Sequence, residues 1–314
     1  MARKRKGRPI NGWIVIDKPR GPTSTQVVGR VKRVFDAAKA GHGGTLDPMA
    51  SGLLPIAFGE ATKTVQWAMD GEKTYRFTVR WGVETDTDDA EGSVTRTVEA
   101  RPDDAAIEAV LDRFVGEIDQ VPPAYSAIKV DGERAYDLAR EGRPPELASR
   151  PVSIHHLALV DRPDADHAVF EAVSGKGAYM RALARDIAAA LGTLGHLEAL
   201  RRTRVGAFTL DDAVTLEHLD ALADEGDAES ALLPVETPLD DIPAVALSES
   251  QAHQLKRGQA VAFLSRSDRH KLEGLRIDLT AEEPLVLAMH GAVPVALARL
   301  EGVEIRPVRV LNLT

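Results

Sequence analysis

Four glycines crowd one acidic residue in GHGGTLDPMASGLLP, residues 41–55. Gly41, Gly43, Gly44 and Gly52 remove side chains around Asp47, so a polymer backbone has room to come near. Pro48 cannot donate a hydrogen bond, and its ring steers the preceding residue toward extended backbone. Asp47 is thereby kept off any helix with its carboxylate presented outward. The competing reading is an Asx-type turn in which Asp47 caps local amides.

Elements flank this loop on both sides. GWIVI (12–16) reads as a short buried strand, and Ser24 as the N-cap of a helix to Phe35 with Val27, Val28, Val31 and Val34 on one face. LLPIAFG (53–59) is apolar, EATKTVQWAMD (60–70) helical, and KTYRFTVRWG (73–82) alternates as a half-buried strand does. A polar loop, ETDTDDAEG, leads to a strand near 93–98 and a helix near 103–115. Asp131-Gly132 signals a hairpin turn. Strands are expected at 151–160 and 167–173, and a helix at 178–191 ending at Gly192. Pro234 and Pro238 mark a boundary, after which short Val/Leu/Ile runs predict a small β-rich unit. The expected fold class is α+β, a mixed, mainly antiparallel sheet with flanking helices over 1–242 and a small β-barrel over 243–314.

The chain has 314 residues and no cysteine, which excludes disulfides, thiolate nucleophiles, Cys-ligated zinc and iron–sulfur clusters. No apolar run approaches the roughly 20 residues of a membrane span. MARKRKGRP lacks the apolar segment of a signal peptide, so a cytoplasmic protein is expected. Net charge is −9, yet residues 1–33 carry ten Lys and Arg against the single acid Asp17, while 211–241 carry eleven acids and no Lys or Arg. A phosphate-binding face and an acidic remainder can coexist, because charges more than about 8 Å apart are well screened.

Several side chains could carry chemistry. His42 has no second histidine at helical spacing, which argues against zinc, but its ring could stack on a nucleobase. Tyr75 sits mid-strand, where packing is the ordinary role. SGKGAYMRALARD places Lys176 and Gly177 before a helix start, then Tyr179, Arg181 and Arg185. The arginines read either as a solvated pair or as partners that keep a buried carboxylate ionised. Asp86, Asp88, Asp89 and Glu91 read as a solvated turn without EF-hand spacing. LRRTRVG (200–206) reads as a charged surface or a phosphate-contacting edge with Leu200 as an apolar contact.

In combination these segments resemble the TruB family of tRNA pseudouridine synthases. DKPRGPTS, the glycine loop, GEATK with KTYRF, TDTDDAEG, PPAYSAIKVDGERAY, GKGAYMRALARD and LRRTRVG occur in family order, and the last 70 residues look like a PUA domain. The resemblance implies a monomeric, cofactor-free and metal-free enzyme. Its substrate would be uridine 55 in the T-arm loop of tRNA, isomerised to pseudouridine. Asp47 matches the essential aspartate, acting at the ribose as nucleophile or base. Arg181 matches its partner, and Tyr75 the tyrosine that packs on the target base and assists at carbon 5. Tyr179 and Leu200 match residues lining the uridine pocket, and His42 the histidine that stacks to hold the T-arm loop open. Gly43, Met49 and Ala178 depart from the common Thr, Leu and Thr without removing a reacting group. Two other readings compete: a tRNA-binding or tRNA-folding factor, which has no need of Asp47, Arg181 and Tyr75 together, and a carboxylate hydrolase, which wants a second acid near Asp47.

Overall fold

The structure is a computed structural model that describes residues 7–126, 128–130, 133–143, 145–265, 268, 275 and 284–313. The first half runs β1 (Gly12–Lys18), α1 (Ser24–Val34), β2 (Ala40–His42), β3 (Ser51–Phe58), α2 (Val65–Asp70), β4 (Lys73–Trp81), β5 (Val83–Thr85), β6 (Val94–Thr97), α3 (Asp104–Leu111) and β7 (Gly116–Gln120). The chain continues through β8 (Lys129–Val130), β9 (Glu133–Arg134), α4 (Ala135–Arg140), β10 (Arg150–Asp161), β11 (His167–Ser174), α5 (Met180–Ala190), β12 (Gly195–Val205), β13 (Phe208–Thr209), β14 (Ala213–Val214) and α6 (Leu216–Asp224). It ends with β15 (Ala244–Ala246), α7 (Glu249–Lys256), β16 (Val261–Ala262), β17 (Leu285–His290), β18 (Val293–Glu301) and β19 (Glu304–Val310).

A ten-stranded mixed sheet dominates, in the order β14-β1-β3-β12-β4-β11-β10-β7, with β2 paired to β3 and β13 to β12. Its pairs are antiparallel except β1 with β14 and β3 with β12. β1 opens with an unbroken apolar run, Trp13–Ile16, because both its faces are covered. Ile14 and Ile16 pack with Val27 and Val31 of α1, while Trp13 and Val15 pack with Leu53, Phe208 and Leu311. β4 has one covered face: Phe77, Val79 and Trp81 join the core under α5 and α3, and Arg76 and Arg80 are exposed. This produces the alternation visible in its sequence. A second, five-stranded sheet, β15-β17-β18-β19-β16, packs around α7. Its strand exit carries Leu311, fully buried, back into the core beside Trp13.

Local expectations shift at the element ends. The N-cap of α1 is Thr23, whose side chain accepts from the Gln26 amide while Gln26 returns a bond to the Thr23 amide. Ser24, freed from capping, reaches the glycine loop instead. Residues 60–70 form a 3-10 turn (Gly59–Lys63) and then α2, not one helix. The helix near 103–115 ends at Leu111 and tightens into a 3-10 turn. α5 starts at Met180, and Gly192, at φ +69°, ends it in the left-handed conformation expected of it. β8 and β9 pair as a hairpin, while Asp131-Gly132 lies outside the described residues.

Candidate active site

The loop between β2 and β3 is framed from both flanks of Asp47. On one side the Ser24 hydroxyl donates to the Leu46 carbonyl (2.8 Å) and accepts from the Leu46 amide (2.9 Å). On the other the Pro48 carbonyl accepts from the Gly21 amide (2.8 Å) and from Lys18 Nζ (3.3 Å). The Ala50 amide closes a turn on the Asp47 carbonyl at 3.1 Å. Underneath, the buried Arg202 forks to three backbone oxygens, Leu53 at 2.9 Å, Thr45 at 3.2 Å and Gly44 at 3.1 Å. Gly52, at φ +101°, is required here, since a Cβ would lie 2.1 Å from the Arg202 carbonyl oxygen.

The Asp47 carboxylate, with its side chain 35% exposed, meets Arg181 Nη2 at 3.1 Å. Arg181 itself is almost fully buried. Its Nη1 faces Asp89 Oδ2 at 3.4 Å and donates to the Thr87 carbonyl at 3.1 Å, and Nη2 also donates to the Tyr125 carbonyl at 2.9 Å. A buried guanidinium needs its charge matched and its donors used; here Nη1 and Nη2 are engaged, while Nε has no partner among the described residues. Asp89 supplies the second carboxylate, and its Oδ1 accepts from Thr87 Oγ1 (2.6 Å) and from the Glu91 amide (3.0 Å). Lys18 is completely buried, bonded to the Pro19, Pro22 and Pro48 carbonyls. Burial lowers its pKa to about 8, against the pull of the Asp47 charge. Asp47 thus stays partly exposed beside the buried Arg181, with the buried Lys18 near enough to feel its charge.

Residues 32–180 match the TruB family pseudouridylate synthase N-terminal domain, and 181–242 the tRNA pseudouridylate synthase B C-terminal domain. The chain belongs to the TruB family. A tRNA pseudouridine synthase B of Rhodospirillum rubrum is 54% identical over 313 residues, covering 100% of both chains. One of Gluconacetobacter diazotrophicus is 56% identical over 313 residues, covering 98% of this chain and 100% of the relative. Among solved structures, a Cbf5-Nop10-Gar1 complex matches with a TM-score of 0.73 at 26% identity, over 96% of this chain and 84% of that one. The fold is that of a pseudouridine synthase with a curled C-terminal sheet.

Within this TruB fold the other expected residues come from separate elements. Tyr75 lies on β4, paired with Arg202 on β12 and Ala172 on β11, and packs against the core under α5. Leu200 faces Phe77 from β12, two residues before Arg202. Tyr179 caps α5; Gln120 exchanges two hydrogen bonds with its backbone, and Arg150 sits over its ring at 5.3 Å. His42 opens the glycine loop, and its Nδ1 is buried without a partner among the described residues. Burial and then the nearby Arg202 charge push its pKa down, keeping the ring neutral.

The open reading of the α5 arginines is decided for carboxylate partners, and two other expectations are overturned. The arginines of α5 are not a solvated pair: Arg181 is buried, and Arg185 binds Asp88 at 2.8 Å. Asp88 and Asp89 accordingly do not belong to a solvated turn, because packing against α5 turns both carboxylates onto those arginines. Nor is LRRTRVG a free phosphate-contacting edge. Arg202 is buried in the loop clamp and Arg201 pairs with Asp17 at 2.7 Å, because the segment is a strand in mid-sheet. Lys176 is also committed, to Asp70 at 2.9 Å. Lys18, Asp89 and Arg202 are site residues that pattern reading passed over. The segments DKPRGPTS, TDTDDAEG and LRRTRVG that hold them were the available signal, but burial of a charge is a property of contacts and has no periodicity.

Proposed function

We propose that this chain isomerises uridine 55 in the T-arm loop of tRNA to pseudouridine, acting as a monomer in the cytoplasm without metal or cofactor. The C1′–N1 bond breaks, the base turns, and a C1′–C5 bond forms; C5 loses its proton and N1 gains one, so the atoms balance. Asp47 acts at the ribose, as nucleophile on C1′ or as base at the sugar. Arg181 pairs with that carboxylate and aims it. Tyr75 packs on the base and assists removal of the C5 proton, Tyr179 and Leu200 line the pocket, and His42 stacks in the opened loop. Residues 1–242 form the catalytic unit and 243–314 a PUA-like RNA-binding unit.

The observation that carries this reading is the Asp47–Arg181 pair, half-open inside a glycine-framed loop of a TruB family member. The clear space at Gly41, where a Cβ would meet nothing within 4 Å, suits a flipped nucleotide. Extruding that nucleotide costs a few kcal/mol, which pocket contacts offset. The test is tritium release from tRNA labelled at carbon 5 of uridine, for the native chain and Asp47→Asn, with tRNA binding measured for both. Release by the native chain alone, with binding intact in both, is expected. Binding without release by either would favour a tRNA-binding or folding factor.

A further inference from the structure

Arg185 follows Arg181 by one helical turn on the same face of α5. Each guanidinium bridges the same two segments. Arg181 takes the Thr87 and Tyr125 carbonyls; Arg185 takes Asp88 Oδ2 at 2.8 Å and the Val121 carbonyl at 2.8 Å. Asp186 holds the remaining Arg185 edge through Nε at 2.9 Å. The turn at 85–92 and the stretch at 121–125 are thus stapled to α5 twice, once at Asp47 and once a turn away.

Asp88 sits at φ +60°, a left-handed conformation that aspartate tolerates better than most residues but not freely. Its main chain is tied to β12, with the Leu197 amide donating to the Asp88 carbonyl at 3.0 Å and the Ala90 amide to the Leu197 carbonyl at 3.0 Å. That tie falls at the irregularity in β12 between Leu197 and Ala199. The strained backbone turns Asp88 onto Arg185 while its neighbour Asp89 turns onto Arg181.

We propose that Asp88 and Arg185 are positioning residues for the isomerisation, their ion pair holding the 85–92 turn and the 121–125 stretch so that Arg181 stays seated against Asp47. Neither touches Asp47; both act through Arg181. The inference rests on the synthase reading above and adds to it a pair that leaves substrate binding alone.

The experiment is single-turnover pseudouridine formation on unmodified tRNA, with the dissociation constant of tRNA measured in parallel. The variants are Asp88→Asn, which keeps a side chain suited to positive φ, Arg185→Gln, Arg185→Lys and the Asp88→Asn/Arg185→Gln double. The expected single-variant rate constants fall roughly tenfold, with the dissociation constant within about twofold of native. The double variant is no slower than the slower single, because one interaction has been removed twice. Arg185→Lys, which keeps a charge for Asp88, recovers part of the rate. Native rates in both singles overturn the proposal, as does a parallel loss of rate and binding, which marks a merely structural role. No product from the native chain would instead remove the synthase reading, and this proposal with it.

Discussion

Arg202 and Lys18 are both buried and spend their donors on carbonyl oxygens, Arg202 on the Asp47 loop and β3, Lys18 on Pro48 and the β1–α1 connection. A cation in that setting is held by geometry and by distant charge, with desolvation working against it. For Lys18 the consequence has a sign. Its folded pKa is about 8 against an ordinary 10.5, so the unfolded chain binds the proton more tightly. Stability tied to this group therefore rises as pH climbs from about 8 to 10.5 and is flat below that window. Lys73, lowered to about 8 by burial, behaves in the same direction. Urea midpoints of native and Lys18→Met protein, followed across that range, isolate Lys18. The native midpoint should gain on the variant as pH rises, and parallel curves would refute the assignment.

Among the elements, the glycines separate into those the fold needs and those it merely contains. Gly52 on β3 has φ +101° and no space for a Cβ, so Gly52→Ala should cost about 3 kcal/mol or more and loosen the Asp47 loop. Gly29 lies within α1, with nothing within 4 Å of its would-be Cβ and no positive φ. Gly29→Ala should stabilise by about 0.5–1 kcal/mol, since alanine suits a helix interior better. Thermal unfolding of the two variants checks both, and similar effects from the two would contradict the steric account. The elements themselves were readable where a pattern has one cause. β4 alternates because one face is covered, and α1 shows its apolar stripe for the same reason. β12 carries no strand pattern in its sequence: LRRTRVG looks like surface because the partners of Arg201 and Arg202 lie on distant strands and loops.

At the scale of the whole molecule, the C-terminal sheet is anchored to the larger one through its last residues. Leu311 is fully buried beside Trp13, the Asn312 amide donates to Glu60 at 2.6 Å, and Lys63 Nζ donates to the Val310 carbonyl at 2.8 Å. Leu311→Ala should cost about 2–5 kcal/mol in a denaturant titration, the range for truncating a buried leucine; an unchanged midpoint would show the anchor to be incidental. Charge is also organised at this scale. Part of the acidic stretch pairs at the surface with the basic N-terminal segment, Arg30 with Asp220 and Arg8 with Glu229. Because charges more than about 8 Å apart are well screened, a net charge of −9 does not by itself oppose RNA binding. The affinity for tRNA should fall steeply with added salt, and a flat dependence would argue against phosphate contacts.

The sequence by itself determined the fold class and the strands whose faces differ, and it marked the glycine loop around Asp47 as a candidate site. Those properties follow from local periodicity and from backbone chemistry around Gly and Pro, which neighbouring residues settle among themselves. Only the tertiary structure decided that Arg181 reaches Asp47, that Asp89 shares that arginine, and that Lys18 and Arg202 are buried beneath the loop. The residues joined there come from β1, β12, α5 and the turn after β5. A charge becomes a structural or catalytic group only when such packing removes its water and supplies its partners.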